Sequence, residues 1–149
     1  MIRTKIAGIG HYLPDQVISN KELESLMDTT DEWIQERTGI QERRFGVRHK
    51  ETTTTMGAEA ARKAIADAGI DKEEVDFIVF ATLSPDYFFP GCGVLVQREL
   101  GISNTEIGAL DIRNQCSGFI YGLSVADQFV RTGTYKNVLL IGAEMHSMG

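Results

Sequence analysis

The sequence has few cysteines and histidines, and each shortage excludes a class of protein. Its 149 residues include two cysteines, Cys92 and Cys116, which lie far apart and form no CxxC pair. A disulfide framework and a zinc ribbon are therefore excluded. The three histidines, His11, His49 and His146, show no HxxxH or HExxH spacing, so we expect no metal site.

Long apolar runs and low-complexity stretches are also missing. No segment approaches the ~18 consecutive apolar residues that a membrane-spanning helix needs. Pro14 and Asp15 interrupt the apolar region that a signal peptide would require after Arg3 and Lys5. Fifteen glycines and three prolines without a period exclude a collagen-like chain. We expect a cytoplasmic protein in which residues 1–149 form one domain without an internal boundary.

The formal net charge of −6 conceals a local excess of positive charge. Between Arg37 and Lys50 the chain carries five basic residues and a single acidic residue, Glu42. Such a segment suits an anionic small ligand better than a nucleic-acid duplex. An exposed basic segment that binds nothing is the alternative.

Alternating apolar runs and amphipathic stretches predict alternating strands and helices. We predict strands over residues 5–10, 77–83, 107–112 and 138–143. We predict one short helix capped by Asn20, and further helices that begin at Thr30 or Asp31, after Thr52–Thr55, at Gly93 and at Ser117. The strand over 77–83 has no polar alternation, which is typical of a strand covered on both faces. This order predicts an α/β fold, with right-handed crossovers on a mostly parallel mixed sheet that has helices on both faces.

The last predicted helix, over residues 117–132, carries an apolar stripe and a charged pair on its other side. The stripe consists of Phe119, Leu123, Ala126 and Val130. Asp127 and Arg131 form the i,i+4 pair. Because Gly118 and Gly122 lie one turn apart and allow close approach, we expect this helix to be buried on more than one side.

Cys116 is the strongest candidate for chemistry because it lies between a predicted strand and this helix. The positive end of the helix stabilises a thiolate, and its unpaired N–H groups can donate to an oxyanion on a thioester carbonyl. We therefore predict an acyl-accepting nucleophile. The alternative is an inert buried thiol, which is the favoured interpretation of Cys92.

The segment DIRNQCSGFIYGL, from Asp111 to Leu123, resembles the nucleophile segment of 3-oxoacyl-[acyl-carrier-protein] synthase III, a condensing enzyme of the thiolase-like superfamily. Further similarity is found in Gly8–Pro14, Asp28–Arg43, Thr55–Gly57 and Phe89-Pro90, so the resemblance covers the whole chain. It implies a thiolase-like fold. Because full-length members have about twice this length, the chain resembles the N-terminal half of such an enzyme.

The resemblance also implies an activity and its substrates. An acyl-CoA would prime Cys116, and decarboxylative Claisen condensation with malonyl-acyl carrier protein would then give 3-oxoacyl-acyl carrier protein. No cofactor is implied, since acyl-CoA is a substrate. A homodimer is expected, and neither nucleic acid nor a membrane is an expected partner.

Further site residues follow from the same resemblance. Thr29, Trp33 and Arg37 match the residues that hold CoA, where an indole face and a guanidinium plane both stack on a flat base. Trp33 taken by itself is more typical of a core residue. Phe89 matches an aromatic residue that crosses the dimer interface to line the partner's acyl pocket, and local packing against Phe88 is the alternative.

Several features depart from the family pattern. Arg113, Asn114 and Gln115 precede Cys116 where many members have small residues, which suggests a different primer preference. None of the three histidines matches the family's catalytic histidine, which lies with an asparagine in the C-terminal half. We therefore expect no complete condensation by these 149 residues alone. The helix over 117–132 is expected to present an apolar face that the second half would cover.

Three alternatives to this function remain open. One is a related acyl-CoA-primed synthase of a specialised pathway, or an enzyme similar to hydroxymethylglutaryl-CoA synthase. Another is a non-catalytic half-domain that binds CoA or acyl groups. A cysteine hydrolase or redox protein that uses Cys116 alone is disfavoured, because neither a CxxC pair nor a histidine partner is recognisable.

Overall fold

The computed structural model describes residues 2–47 and 50–147, which form two compact units. The larger unit comprises residues 2–12 and 52–146, and the smaller comprises residues 13–47, 50–51 and 147. The single domain without an internal boundary stays a prediction.

Eleven elements follow one another along the described residues. They are β1 (Gln16–Ser19), α1 (Asn20–Leu23), α2 (Asp31–Thr38), β2 (Glu42–Phe45), α3 (Thr53–Ala68), a 3-10 turn (Lys72–Glu74), β3 (Phe77–Ala81), α4 (Cys92–Leu100), β4 (Gly108–Ile112), α5 (Gly118–Arg131) and β5 (Val138–Gly142). None of the helices in this part of the chain has the length and apolarity needed to cross a bilayer.

A three-stranded parallel sheet forms the centre of the larger unit. Its strand order is β4-β3-β5, and Phe77 at the start of β3 lies opposite Gly108 and Val138. All five residues of β3 are buried, as the uninterrupted apolar run predicted. Each large apolar side chain buried in this way contributes roughly 1.5–3 kcal/mol.

Helices cover both faces of this sheet. On one face Gly57 of α3 and Gly93 of α4 lie against Phe80, and on the other face Gly122 of α5 lies against Val79 and Leu140. Successive residues of a strand point to opposite faces, so the two neighbours Val79 and Phe80 each contact a different helix layer. The predicted α/β architecture with helices on both faces is confirmed.

Capping residues determine where the helices begin and end. Thr52 caps α3 by accepting a hydrogen bond from the N–H of Thr55 at 3.2 Å, and the Thr55 hydroxyl accepts one from the N–H of Thr52 at 2.9 Å. The helix ends at Gly69, whose φ of 66° is readily available to glycine. Gly39 ends α2 in the same way, with a φ of 70°.

The predicted strand over residues 5–10 is wrong, because no strand pairs with this segment. Its backbone lies against α3 instead. A Cβ at Gly8 would clash with the carbonyl oxygen of Ala64, and one at Gly10 would clash with that of Ala60, so only glycine fits at these two positions. This segment and β5 also line a groove of 880 Å³.

The smaller unit contains an antiparallel pair, β1 and β2, that the sequence pattern did not predict. Gln16 lies opposite Phe45 in this pair. The following helix is capped by Ser19, which exchanges hydrogen bonds with Glu22, and the predicted cap at Asn20 is wrong. Asn20 is buried, and its amide donates to the Asp31 carboxylate at 2.7 Å. This hydrogen bond and one from Gln35 lower the pKa of Asp31.

The helix α5 is buried on one side only. Gly118, Gly122 and Ala126 face the sheet and are buried. Four apolar side chains of the same helix remain exposed by 39–59%: Phe119, Ile120, Tyr121 and Leu123. The larger unit thus presents an apolar surface, as expected of this helix without a covering partner.

Candidate active site

Cys116 lies in the turn that connects β4 to α5, at the predicted junction of strand and helix. Its residue is exposed, whereas Cys92 is buried. The N–H of Gly118 donates to the carbonyl of Gln115 at 2.8 Å. Ser117, the N-cap residue of α5, makes no side-chain capping hydrogen bond. The turn that carries the thiol therefore leads into a helix end without a side-chain cap, as an oxyanion donor requires.

A pocket of 560 Å³ contains Cys116. Its apolar lining includes Leu83 and Phe119, and its polar lining includes Glu144 and His146. The lining side chains come from residues at or just beyond the carboxyl ends of β3, β4 and β5. Parallel strands bring these ends to one edge of the sheet, where ligands of open α/β sheets bind.

Glu144 is a pocket residue that sequence reasoning missed. Its carboxylate accepts hydrogen bonds from the N–H of Leu83 at 2.6 Å, from the N–H of Ser84 at 3.0 Å and from the hydroxyl of Ser84 at 2.6 Å. The imidazole Nε2 of His146 is 3.8 Å from the same carboxylate. The signal available in the sequence was an acidic residue two positions after a buried strand, at the edge that also carries Cys116.

Cys92 begins α4 and is enclosed by the core. Its N–H donates to the Asp111 carboxylate at 2.6 Å, and the N–H of Gly93 donates to the other oxygen at 2.8 Å. Burial raises the pKa of the Cys92 thiol. These features fit the packing role favoured from the sequence.

The residues expected to bind CoA belong to the smaller unit. Trp33 is 54% exposed on α2, so its interpretation as a core residue is wrong. The Arg37 guanidinium lies 5.6 Å from the centre of the Trp33 indole, which places a cation beside an aromatic plane at one turn's separation. The Thr29 hydroxyl oxygen is buried and has no hydrogen-bond partner among the described residues.

The basic segment from Arg37 to Lys50 is not a free cluster of cations. Arg43 donates to the carbonyl of Ile18 and to the amide oxygen of Asn20, so it holds the smaller unit together. Arg44 donates to the carbonyl of Pro14 at 3.2 Å. Arg48 and His49 lie outside the described residues. Of the basic side chains with a described position, Arg37 is the one that fits the expected CoA role.

Phe89 is 88% exposed and Phe88 is 91% exposed. The alternative in which the two rings are buried against each other is therefore wrong. Asp86 anchors the loop that carries these two residues to the start of α3. Its carboxylate accepts hydrogen bonds from the N–H groups of Thr53 and Thr54 at 2.9 Å each. In the described ranges, no cluster of three or more His, Cys, Asp or Glu side chains has the geometry to hold a metal ion.

Comparison with known proteins gives consistent matches. The family model described as 3-oxoacyl-[acyl-carrier-protein (ACP)] synthase III matches residues 110–149. The β-ketoacyl-[acyl-carrier-protein] synthase III of Chlamydia pneumoniae is 49% identical over 142 residues, which are 95% of this chain and 42% of the relative. The chain thus spans less than half of that relative's length.

Solved structures give the same result. The 3-oxoacyl-[acyl-carrier-protein] synthase III of Aquifex aeolicus superposes with a TM-score of 0.89 at 46% identity, covering 97% of this chain and 46% of that one. The priming β-ketosynthase of the R1128 polyketide pathway superposes with a TM-score of 0.89 at 36% identity, covering 96% and 42%.

A parallel sheet with helices on both faces and these structural matches define the class of protein, which is the thiolase-like α/β fold. Within that class, the chain is similar to 3-oxoacyl-[acyl-carrier-protein] synthase III over nearly its whole length, and it spans less than half the length of those relatives.

Proposed function

We propose that this chain carries the acyl-accepting part of a β-ketoacyl-acyl carrier protein synthase III. The observation that carries the proposal is an exposed Cys116 in a 560 Å³ pocket at the junction of a parallel strand and a helix. The Cys116 thiol gives up its proton, and the thiolate attacks the thioester carbonyl of an acyl-CoA to form a new carbon–sulfur bond. The carbon–sulfur bond to CoA breaks, and the CoA thiolate leaves and takes up a proton. The start of α5 supplies N–H donors to the tetrahedral oxyanion.

In the whole protein, acylated Cys116 is then the electrophile of a carbon–carbon bond formation. Malonyl-acyl carrier protein loses CO2, and the carbanion attacks the acyl carbonyl. The Cys116–acyl bond breaks, which releases 3-oxoacyl-acyl carrier protein and regenerates the cysteine. The histidine and asparagine implied for this step belong to the C-terminal half of the family.

The CoA moiety is proposed to bind through Trp33 and Arg37, with Thr29 beside them. The support is an exposed indole with a guanidinium 5.6 Å from its centre, because both groups stack on an adenine and the cation also attracts phosphate. The unpartnered hydroxyl of Thr29 is a donor available to the same ligand.

Phe89 is proposed to contact the partner subunit of a homodimer and to line its acyl pocket. The support is that 88% of the Phe89 side chain is exposed. Burying a large apolar ring of this kind against another chain releases free energy, so exposed rings mark contact surfaces.

Acyl transfer is tested by the intact mass of the protein before and after incubation with acetyl-CoA and longer acyl-CoAs. We expect the mass of one acyl group on the wild-type full gene product and on Cys92→Ala, and none on Cys116→Ser. An adduct that persists in Cys116→Ser, or no adduct with any acyl-CoA, contradicts the proposal.

A related synthase of a specialised pathway is a second candidate. It is favoured by the similarity to the R1128 priming β-ketosynthase and by polar side chains in the pocket, namely Asn114, Gln115, Glu144 and His146. Product analysis with a panel of primers separates the candidates, since fatty-acid synthesis predicts unsubstituted 3-oxoacyl products.

A further inference from the structure

The Glu144 carboxylate connects two walls of the Cys116 pocket. It follows β5, and it accepts hydrogen bonds from three donors on the segment that follows β3: the N–H of Leu83, the N–H of Ser84 and the hydroxyl of Ser84. The Thr82 hydroxyl is a fourth, longer contact at 3.4 Å. Hydrogen bonds to an ionised carboxylate are roughly twice as strong as neutral ones.

The same short segment makes two further hydrogen bonds, one with α3 and one with the residue that follows Glu144. The carbonyl of Ser84 accepts the Thr53 hydroxyl of α3 at 2.6 Å, and the Ser84 hydroxyl accepts the N–H of Met145 at 2.8 Å. Residues 82–84 are therefore fixed between α3 and Glu144.

Leu83, Glu144 and His146 all line the pocket that contains Cys116. Leu83 donates its N–H to Glu144 at 2.6 Å, so the position of this apolar wall depends on the carboxylate. The imidazole of His146, on the segment that follows β5, lies 3.8 Å from the same carboxylate. A shift of either wall changes the space that an acyl chain on Cys116 can occupy.

We propose that Glu144 is a positioning residue that fixes the walls of the acyl pocket and thereby selects which acyl chains reach Cys116. This inference rests on the proposed function, because it concerns the primer of the same reaction. Glu144 touches neither the thiol nor the reacting carbonyl in this role. It acts through Leu83 and His146.

The experiment compares acylation of Cys116 by acetyl-CoA and by octanoyl-CoA in the full gene product. The ratio of the two rates isolates the pocket, because any change in thiol reactivity affects both rates equally. In Glu144→Gln an NH2 group replaces one of the two oxygens that accept from the N–H groups of residues 83 and 84. Because this weakens the hydrogen bonds that hold residues 82–84, we expect this segment to move more freely and the pocket to widen. We expect the octanoyl-to-acetyl ratio to rise about tenfold. A change in space by a single methylene group in an apolar pocket already changes substrate selection by this amount.

Two further variants distinguish positioning from a general structural role. Glu144→Asp keeps the charge but withdraws the carboxylate by one methylene, so we expect a smaller rise in the ratio. Glu106→Gln changes an exposed glutamate remote from the pocket lining and should leave the ratio at the wild-type value. An equal loss of both rates in Glu144→Gln, with a ratio within twofold of wild type, or a fallen ratio, overturns the proposal.

Ser84→Ala provides the same test if Glu144→Gln does not fold. It removes one donor to the carboxylate and keeps the backbone N–H donors, so we expect a smaller rise in the ratio, and an unchanged ratio overturns the proposal. Failure of the proposed function gives a different result, namely wild-type protein that no acyl-CoA modifies. That result overturns both.

Discussion

Cys116 and Cys92 have opposite surroundings, although each lies at the start of a helix. Cys116 is exposed in a pocket, whereas Cys92 is fully buried and its thiol pKa is raised by that burial. Only a thiolate that a reagent can reach is a nucleophile. The position at a helix start is thus shared by both residues, and burial decides which of them can react.

We expect iodoacetamide at neutral pH to label Cys116 about tenfold or more faster than Cys92, because burial both excludes the reagent and favours the neutral thiol of Cys92. Peptide mass mapping over time measures the two rates. Raising the pH should accelerate labelling of Cys92 only slightly, since the folded core still encloses it. Equal rates at both cysteines would contradict this account of the site.

Arg37→Ala should weaken binding of CoA by about fivefold at low salt, because it removes the guanidinium proposed to stack on the adenine and to attract phosphate, and one exposed contact of this kind contributes about 1 kcal/mol. The loss should diminish as salt is added, because the phosphate attraction is screened. Isothermal titration with CoA at two salt concentrations measures both effects.

Arg98→Ala is the matched control for this experiment. Its side chain is 73% exposed and pairs with Glu99 on α4, a helix of the larger unit. We expect wild-type affinity for CoA in this variant. An affinity for CoA that is unchanged in Arg37→Ala would contradict the proposed role and would show that Arg37 is an exposed charge that binds no ligand.

Among the elements, α4 is capped at its start by a residue of the strand β4. Gly91, the residue before the helix, has no side chain to cap it, and Asp111 of β4 accepts the first two N–H groups instead. Arg113 pairs with the same carboxylate at 3.1 Å. Because Asp111 also opens the segment that leads to Cys116, one carboxylate links the start of α4 to the strand before the site.

Asp111→Asn should destabilise the protein by about 1–3 kcal/mol, because it removes a charge-assisted acceptor from two buried N–H donors. Chemical denaturation of wild type and variant measures the difference. Asp127→Asn, which affects an exposed pair with Arg131 on α5, should cause a much smaller change. Equal effects of the two substitutions would show that Asp111 is not a cap.

The helices were predictable at this scale and the pairing of strands was not. Helix α3 carries its capping residue, its apolar face and its terminal glycine within one stretch of sequence. The segment over 5–10 has the composition of a strand, but a strand also needs a partner backbone, which local composition does not specify. The pair β1 and β2 was missed for the same reason, since its residues are joined across about 25 positions of chain.

At the scale of the whole molecule, α5 presents several large apolar side chains to solvent. Phe119, Ile120, Tyr121 and Leu123 lie on this one helix and are exposed by 39–59%. The chain spans less than half the length of the relatives that it matches. A further part of a longer protein, or a second chain, would find in this helix a surface suited to burial.

We expect residues 1–149, prepared alone, to self-associate through this surface. Analytical ultracentrifugation over a range of protein concentrations measures the effect. Ile120→Glu should reduce self-association, because it places a charge where the side chain is 59% exposed. Val94→Glu changes a single exposed apolar side chain on α4 and should leave it unaltered. A monomer at all concentrations would contradict the expectation.

The candidate site was predictable in part. The strand, the turn with Cys116 and the helix after it are consecutive in sequence, so their order placed the thiol at the junction. Glu144 was not predictable, because its contacts with residues 82–84 join positions about 60 residues apart. The exposure of Trp33 was not predictable either, because its residue type favours the core and its actual exposure depends on how residues far away in the sequence pack.

The sequence by itself determined the α/β class, the bounds of α3 and the position of Cys116, because capping, periodicity and apolar runs act over a few neighbouring residues. Only the tertiary structure decided which strands pair, that Arg43 and Arg44 serve the smaller unit, and that Glu144 holds the pocket wall. These depend on contacts between residues far apart in the chain, whose geometry exists only after the sheet and its helices have packed.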